Sequence, residues 1–410
     1  MKFIFADSQD FVDPGYDFEK DAYSKDRVLQ RTDRYPHEIF EQKPYNGMLV
    51  SRAILADGVF KTSGAYSIMQ SQRFKREGAS KFLRYTDGPI FGDSGAFSYV
   101  KLDKPPYDNS EMVDYYIQCG FTHAVAVDHI IFEYDKRFDD NDPDFEVNEE
   151  MQKRYDITQE NAKEFIKIAK EKNASFEPIG VTQAWSPKSM QSAAIGLVEM
   201  GYTYIAIGGL VPLDVDQCEE IVAAVKGVIP KEIKIHLFGF AKAKQLDRFL
   251  KYDITSFDST SPLIRAFKDN KFNYYSPKEH YTAIRVPSSD GTAAMKRKIS
   301  SGELSQDTAQ KMEKESLQAL RAYDKGTMPL EDTLEKVVNY EKLFKPKIPV
   351  ERYRQTLSDQ YWKTCQCEIC KDVSIEVAIF RNSNRNRRRG FHNLWQFMRE
   401  LEELLEGNKK

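Results

Sequence analysis

Cysteine is scarce in this chain, five in 410 residues, and that scarcity excludes a disulfide framework. Cys119 and Cys218 stand alone and read as small core residues in a reducing compartment. Long apolar runs are missing too, so the sequence offers no bilayer span and no membrane partner. The start, Met1-Lys2-Phe3-Ile4-Phe5-Ala6-Asp7, turns acidic before any apolar stretch of leader length, so a cytoplasmic location is expected. Charge of one sign is lacking as well. A net charge of −3 gives no whole-molecule field, so a polyanion would need a local basic patch. There is no Gly-x-x-x-x-Gly-Lys-Ser/Thr loop, which excludes an internal ATPase of that kind.

What is present is a rhythm of short β-prone runs followed by longer helical stretches. The runs are Phe3–Phe5, Met48–Arg52, Pro89–Gly92, Ala124–Asp128, Ile179–Thr182, Tyr204–Gly208, Ile235–Gly239 and Thr255–Asp258. Most are almost wholly apolar, as strands covered on both faces must be. Eight buried parallel strands with helical crossovers predict an α/β fold, a TIM (β/α)8 barrel. A doubly wound sheet accepts the same alternation, but it does not explain the polar or glycine residue at nearly every run's end: Asp7, Arg52, Asp93, Asp128, Gln183, Gly208-Gly209, Gly239 and Asp258. After Tyr281 the pattern changes. Ser288-Ser289-Asp290-Gly291 reads as a linker, and Thr292–Tyr323 and Leu330–Phe344 as charged amphipathic helices. The expected division is a barrel over residues 1–284, a helical insertion over 285–350, and a zinc-binding subdomain over 351–410 that ends in the helix Phe391–Leu405.

Three of the five cysteines fall within six residues, Cys365-Gln-Cys367-Glu-Ile-Cys370, and His392 follows. Three thiolates and one imidazole complete a tetrahedral shell, so Zn2+ is the expected cofactor, holding structure rather than activating water. Between Cys370 and His392 lie Arg381, Arg385, Arg387, Arg388 and Arg389, the one candidate basic patch for a nucleic-acid backbone, with Lys363 beside it. A solvated loop is the plainer account of that run.

The run ends gather chemistry. Asp93-Ser94-Gly95-Ala96-Phe97 sets a carboxylate beside small residues that let a flat ligand approach, with Phe97 available to cover its face. Asp258 and Asp128 add two further carboxylates on the same rim. Two carboxylates facing one glycosidic bond suffice for double displacement, one as nucleophile and one as acid or base. Capping or salt-bridged aspartates are the alternative. Gln183 and Gly208-Gly209-Leu210 supply an amide and exposed backbone, which with Asp128 suit the edge of a guanine-like base. His129 reads as a loop histidine and His236, inside an apolar strand, as a satisfied core histidine.

In this order, Asp93-Ser94-Gly95-Ala96-Phe97, Val127-Asp128, Gln183, Gly208-Gly209-Leu210, Leu237-Phe238-Gly239, Phe257-Asp258 with Pro262, and Cys365-x-Cys367-x-x-Cys370 with His392, the chain resembles the tRNA-guanine transglycosylases. The resemblance implies a zinc-bearing barrel that exchanges guanine for a 7-deazaguanine within a nucleic acid. By position it implies Asp258 as nucleophile and Asp93 as acid/base partner. Asp128, Gln183, Gly208 and Gly209 would bind the base, and Phe97 and Phe238 would sandwich it. A homodimer through the zinc region is a family habit that the helical insertion here leaves open.

The chain departs from the tRNA enzymes in three places. Gly95-Ala96-Phe97-Ser98 replaces their Gly-Gly-Phe/Tyr-Gln, and Thr260-Ser261-Pro262-Leu263 stands where they carry Leu-Pro-Thr-Arg. The segment from Ser288 to Phe344 has no counterpart among them. These departures resemble the DNA-guanine transglycosylase branch, which places 7-cyano-7-deazaguanine (preQ0) into DNA. On that reading the partners are DNA and a deazaguanine base, and any energy-dependent step belongs to a separate ATPase partner. A tRNA substrate, a non-catalytic nucleic-acid-binding subunit on the same fold and an enzyme of free nucleosides are the alternatives.

Overall fold

The computed structural model describes residues 1–55, 65–140, 142, 144–240, 243–277, 279–289, 291 and 293–407. Eight parallel strands close into a barrel in sequence order: β1 (Lys2–Ala6), β2 (Gly47–Ser51), β3 (Ile90–Asp93), β4 (His123–Val125), β5 (Glu177–Thr182), β6 (Tyr204–Ile207), β7 (Lys234–Leu237) and β8 (Ser256–Asp258). Closure is made by β1 against β8, with Phe3 opposite Phe257 and Ile4 opposite Asp258. The doubly wound alternative is thereby excluded, since such a sheet stays open.

The strands are short and their apolar runs are buried on both faces. Ile4, Leu49, Phe91, Val125, Ile179, Val181, Tyr204 and Ala206 fill the barrel interior, and Phe238 packs against them from the partly accessible side. Burying a large apolar side chain of this kind contributes about 1.5–3 kcal/mol. The crossover helices begin where the sequence supplies caps. Asp108 accepts from the N–H groups of Ser110 and Glu111 at Asn109–Cys119. Asn148 caps Glu149–Glu171, Ser186 caps Pro187–Glu199 and Asp214 caps Val215–Lys226.

The chain divides into two compact units, one of Met1–Gln9, Tyr45–Thr260 and Leu401–Lys410, the other of Asp10–Pro44 and Ser261–Glu400. Residues 10–44 and 261–284 group with the carboxyl-terminal segments in the second unit.

In the second unit the expected helix Thr292–Tyr323 is two helices, Ala293–Ser300 and Gln306–Asp324. The break falls at Gly302, in the left-handed region at φ 76°, and Ser305 caps the restart by accepting from the Thr308 N–H. Asp290 of the expected linker and Thr292 lie outside the described residues. The second expected helix is Leu330–Glu341, and Ser316 donates to the Lys336 carbonyl to tie it to its neighbour. The last helix starts earlier than expected, running Ser383–Gly407, and so takes in the whole arginine cluster after Arg381.

Candidate active site and metal centre

Asp93 closes β3 opposite Ser51 of β2, and the chain turns at once. Gly95 makes that turn at φ 88°, where a Cβ would lie 2.3 Å from Ser51 Oγ and 2.5 Å from the Ala53 methyl, so no larger residue fits. Its N–H donates to Asp93 Oδ2 at 3.0 Å. Ser94 is fully buried, with its hydroxyl 2.7 Å from Tyr99 Oη, and Tyr99 donates to the Asp128 carbonyl at 2.9 Å. Thus the β3 turn and the segment after β4 are tied together before any ligand arrives.

Asp128 lies three residues beyond β4 and is buried. Gln183 Nε2 donates to its Oδ2 at 2.8 Å, and Gln183 Oε1 accepts from the Ile131 N–H at 3.3 Å. The amide is oriented at both ends. Gly208 makes room for it, because a Cβ there would lie 2.2 Å from Gln183 Nε2. Asp258 closes β8 and is 8% exposed. Its Oδ1 accepts from the Gly239 N–H at 2.9 Å and lies 3.2 Å from His236 Nε2.

Asp93 feels the charges of the other two carboxylates. Burial, then the charges of Asp128 and Asp258, push Asp93 up to about 7 against the N–H groups of Gly95 and Ser94. Burial pushes Asp128 up to about 6 against the bond from Gln183. Among the described residues no lysine or arginine pairs with any of the three. The alternative of salt-bridged aspartates is therefore not what the described residues form. Phe97 stands 57% exposed on the short helix Ala96–Tyr99, its ring 6.0 Å from that of Phe132. Phe238 is partly buried and meets the His236 ring edge-on at 4.8 Å.

Cys365, Cys367, Cys370 and His392 form the metal centre, all four buried and their ligand atoms within 4.8 Å of one another. His392 Nδ1 lies 3.6, 3.3 and 3.4 Å from the three sulfurs. Tetrahedral zinc, with Zn–S near 2.3 Å and Zn–N near 2.05 Å, would set that separation at about 3.6 Å. His392 Nε2 is 2.8 Å from the Tyr275 carbonyl, which requires the hydrogen on Nε2 and turns the Nδ1 lone pair toward the thiols. The donor set and its outer partner fit zinc.

The structure turns most of the arginine cluster inward. Arg385, Arg388 and Arg389 are buried, and Arg381 nearly so. Arg381 pairs with Asp21 and Glu313, and Arg385 with Glu376, Asp21 and the Phe18 carbonyl. Arg387 donates to the Phe11 carbonyl at 3.2 Å, and Arg388 to the Asp13 carbonyl and Asp372. Arg389 reaches the carbonyls of Val377, Ile379 and Ala266. Most of these donors are spent inside the second unit, while Arg387 is half-buried. Lys363 is likewise turned to the Asp324 carbonyl at 2.8 Å.

A profile of the queuine tRNA-ribosyltransferase family matches residues 62–406. The chain belongs to that family. It is also 41% identical, over 411 residues, to a protein of Salmonella montevideo named DNA-guanine transglycosylase, across 99% of this chain and 97% of that relative. Membership makes the chain a transglycosylase-type enzyme and bears out the expected barrel. No described helix is long and apolar enough to cross a membrane.

Within this family member, the sequence reading missed two residues at the site. His129 is a loop-layer histidine as expected, its Nε2 2.8 Å from the Leu102 carbonyl. His236 is a satisfied core histidine too, but one of its partners is Asp258. Phe132 passed unnoticed; its signal was an aromatic directly after the apolar pair Ile130-Ile131, at a chain position that burial did not require.

Proposed function

We propose that the protein exchanges guanine in DNA for a 7-deazaguanine, 7-cyano-7-deazaguanine (preQ0), through a covalent glycosyl-Asp258 intermediate. The observation that carries the reading is the cluster of Asp93 and Asp258, at the ends of β3 and β8, with Asp128 just beyond β4, and with no lysine or arginine partner among the described residues. The name of the Salmonella relative supports DNA as the polymer. The guanosine must first leave the duplex, since its anomeric carbon is unreachable within stacked bases, and extrusion costs a few kcal/mol. A separate ATPase partner that opens DNA would supply that work, and a homodimer could share the polymer contacts.

Asp258 then attacks C1′, and the electron pair of the C1′–N9 bond passes to N9. Asp93 delivers a proton there, a role suited to a carboxyl raised to about 7. Guanine departs, the deazaguanine enters, and its N9–H returns the proton to Asp93 as N9 attacks C1′ and expels Asp258. Two inversions retain configuration. Asp128, Gln183, Gly208 and Gly209 would hold the base edge, with Phe97 and Phe238 on its faces. Zn2+ on Cys365, Cys367, Cys370 and His392 would be structural.

The family profile carries a tRNA description, so tRNA is the competing polymer. Labelled preQ0 incubated with the enzyme and either duplex DNA or tRNA separates the two. Label in DNA is the expected result. Label in tRNA alone overturns the DNA reading, and label in neither, with DNA still bound, supports a non-catalytic subunit.

A further inference from the structure

Asp258 is linked to a line of buried polar groups that crosses the barrel interior. Tyr204 Oη and Ser256 Oγ are 2.6 Å apart, Ser256 Oγ and His236 Nδ1 2.6 Å, and His236 Nε2 and Asp258 Oδ1 3.2 Å. Tyr204, Ser256 and His236 are each at most 2% exposed. The register explains the alignment: His236 of β7 stands opposite Ser256 of β8, and Ser256 and Asp258, two apart, share a strand face.

Hydrogen counting gives this line one direction. A carboxylate only accepts, so His236 must carry its hydrogen on Nε2. In the neutral ring Nδ1 is then an acceptor and takes the single Ser256 hydrogen, which leaves Ser256 Oγ to accept from Tyr204. Each hydrogen in the line is used once. The ring itself is held by Phe91, with centroids 5.4 Å apart, and by Phe238 at 4.8 Å. Among the described residues, two N–H groups donate to the Asp258 carboxylate, from Gly239 and His236, and both converge on Oδ1.

We propose that His236 is a positioning residue for the exchange reaction: with its tautomer set by Ser256 and Tyr204, it fixes Asp258 Oδ1 and leaves Oδ2 as the oxygen that attacks the sugar. The inference rests on the reading of Asp258 as nucleophile. A carboxylate held at one oxygen loses rotational freedom about its χ2, so the attacking lone pair is aimed before substrate binds. This line sits behind the nucleophile and does not touch the base, so it acts on the rate of sugar transfer and not on deazaguanine affinity.

The test compares full-length variants on whichever of DNA and tRNA the wild-type enzyme modifies, reading kcat, KM for the deazaguanine and melting temperature. His236→Leu removes the donor and is expected to lower kcat about 10- to 100-fold with KM unchanged, the range for losing a hydrogen bond to a charged group. His236→Gln keeps an N–H donor and should restore most of that loss. Ser256→Ala leaves the ring in place but frees its tautomer, and should cost about fivefold in kcat at an unchanged melting temperature. Wild-type kcat in both His236→Leu and Ser256→Ala overturns the inference, as does a Gln variant as poor as the Leu variant while still folded. Asp258→Ala is the control. If it retains exchange, the nucleophile reading fails and takes the inference with it; if it is dead while His236→Leu is fully active, only the inference fails.

Discussion

The barrel mouth and the second unit both bury charge, and they treat it oppositely. At the mouth, Asp93 and Asp128 lie beside Asp258 with only hydrogen-bond donors for company, and both are pushed up, to about 7 and about 6. In the second unit burial also works to raise Asp21, yet Arg385 and Arg381 outweigh it and hold the carboxyl below its ordinary value. Glu376 is shared between Arg321 and Arg385. Compensated charge there joins segments distant in sequence, because Asp21 and Arg385 meet across 364 positions. Uncompensated charge at the mouth has no such structural use. It stores electrostatic strain that a substrate's developing positive charge can relieve, which is why perturbed carboxylates mark sites of chemistry.

The metal centre carries the largest expected effect in the comparison, since its thiols sit in the second unit and, among the described residues, no arginine bonds to them. Zinc would be the counter-charge that makes them part of the compensated region. Metal analysis should find one zinc per chain, and Cys367→Ser should release it. Structural zinc sites contribute apparent free energies of about 10 kcal/mol or more, so the second unit should lose cooperative melting. A metal-free protein that melts cooperatively would remove the Cys3His group from the structural region altogether.

A smaller but sharper break is available at Arg385. Truncating one partner of a buried ion pair leaves the other charge uncompensated and costs about 3–5 kcal/mol. Arg385→Ala should therefore lower stability by that order in urea melts, while the salt dependence of DNA binding by folded protein keeps its slope. If the variant instead melts normally and the slope falls by about one, Arg385 contacts phosphate and the division between the two regions is wrong.

How these regions could be read from sequence differs in the same way. All eight barrel strands were legible because nearly continuous apolar runs have one meaning when they recur between helices, and the rim polar groups followed from where each run stops. The metal ligands were legible because their spacing is local. The pairing of the arginines was not legible, because Arg385, Arg388, Arg389 and His392 fall at i, i+3, i+4 and i+7, the inward stripe of the helix Ser383–Gly407, but carry charge where that stripe is usually apolar. Several of their partners lie in residues 11–21, which no local pattern announces. His236 failed for a related reason. A lone histidine in an apolar strand says that it is satisfied, whereas the β7–β8 register that says by whom emerges only once the barrel closes.

The smallest expected effect bears on the mouth itself. If its charge is uncompensated, removing one carboxylate should stabilise the free protein, and only where that carboxylate is ionised. Asp93 has an ordinary value of 3.8 and is raised to about 7 in the fold, so the folded state binds the proton more tightly than the unfolded chain does. Linkage then runs downward: stability contributed by this group is full below about 4 and is lost as pH rises through about 7. Asp93→Asn has no such loss and keeps an oxygen for the Gly95 N–H. It should be more stable than wild type at pH 8 by about 1–3 kcal/mol and show no such gain at pH 4, while exchange activity falls at both. Paired urea melts at the two pH values decide it. A gain of equal size at both would mean that Asn merely packs better, and a loss at pH 8 would mean that some cation compensates Asp93 after all, making the mouth electrostatically like the second unit.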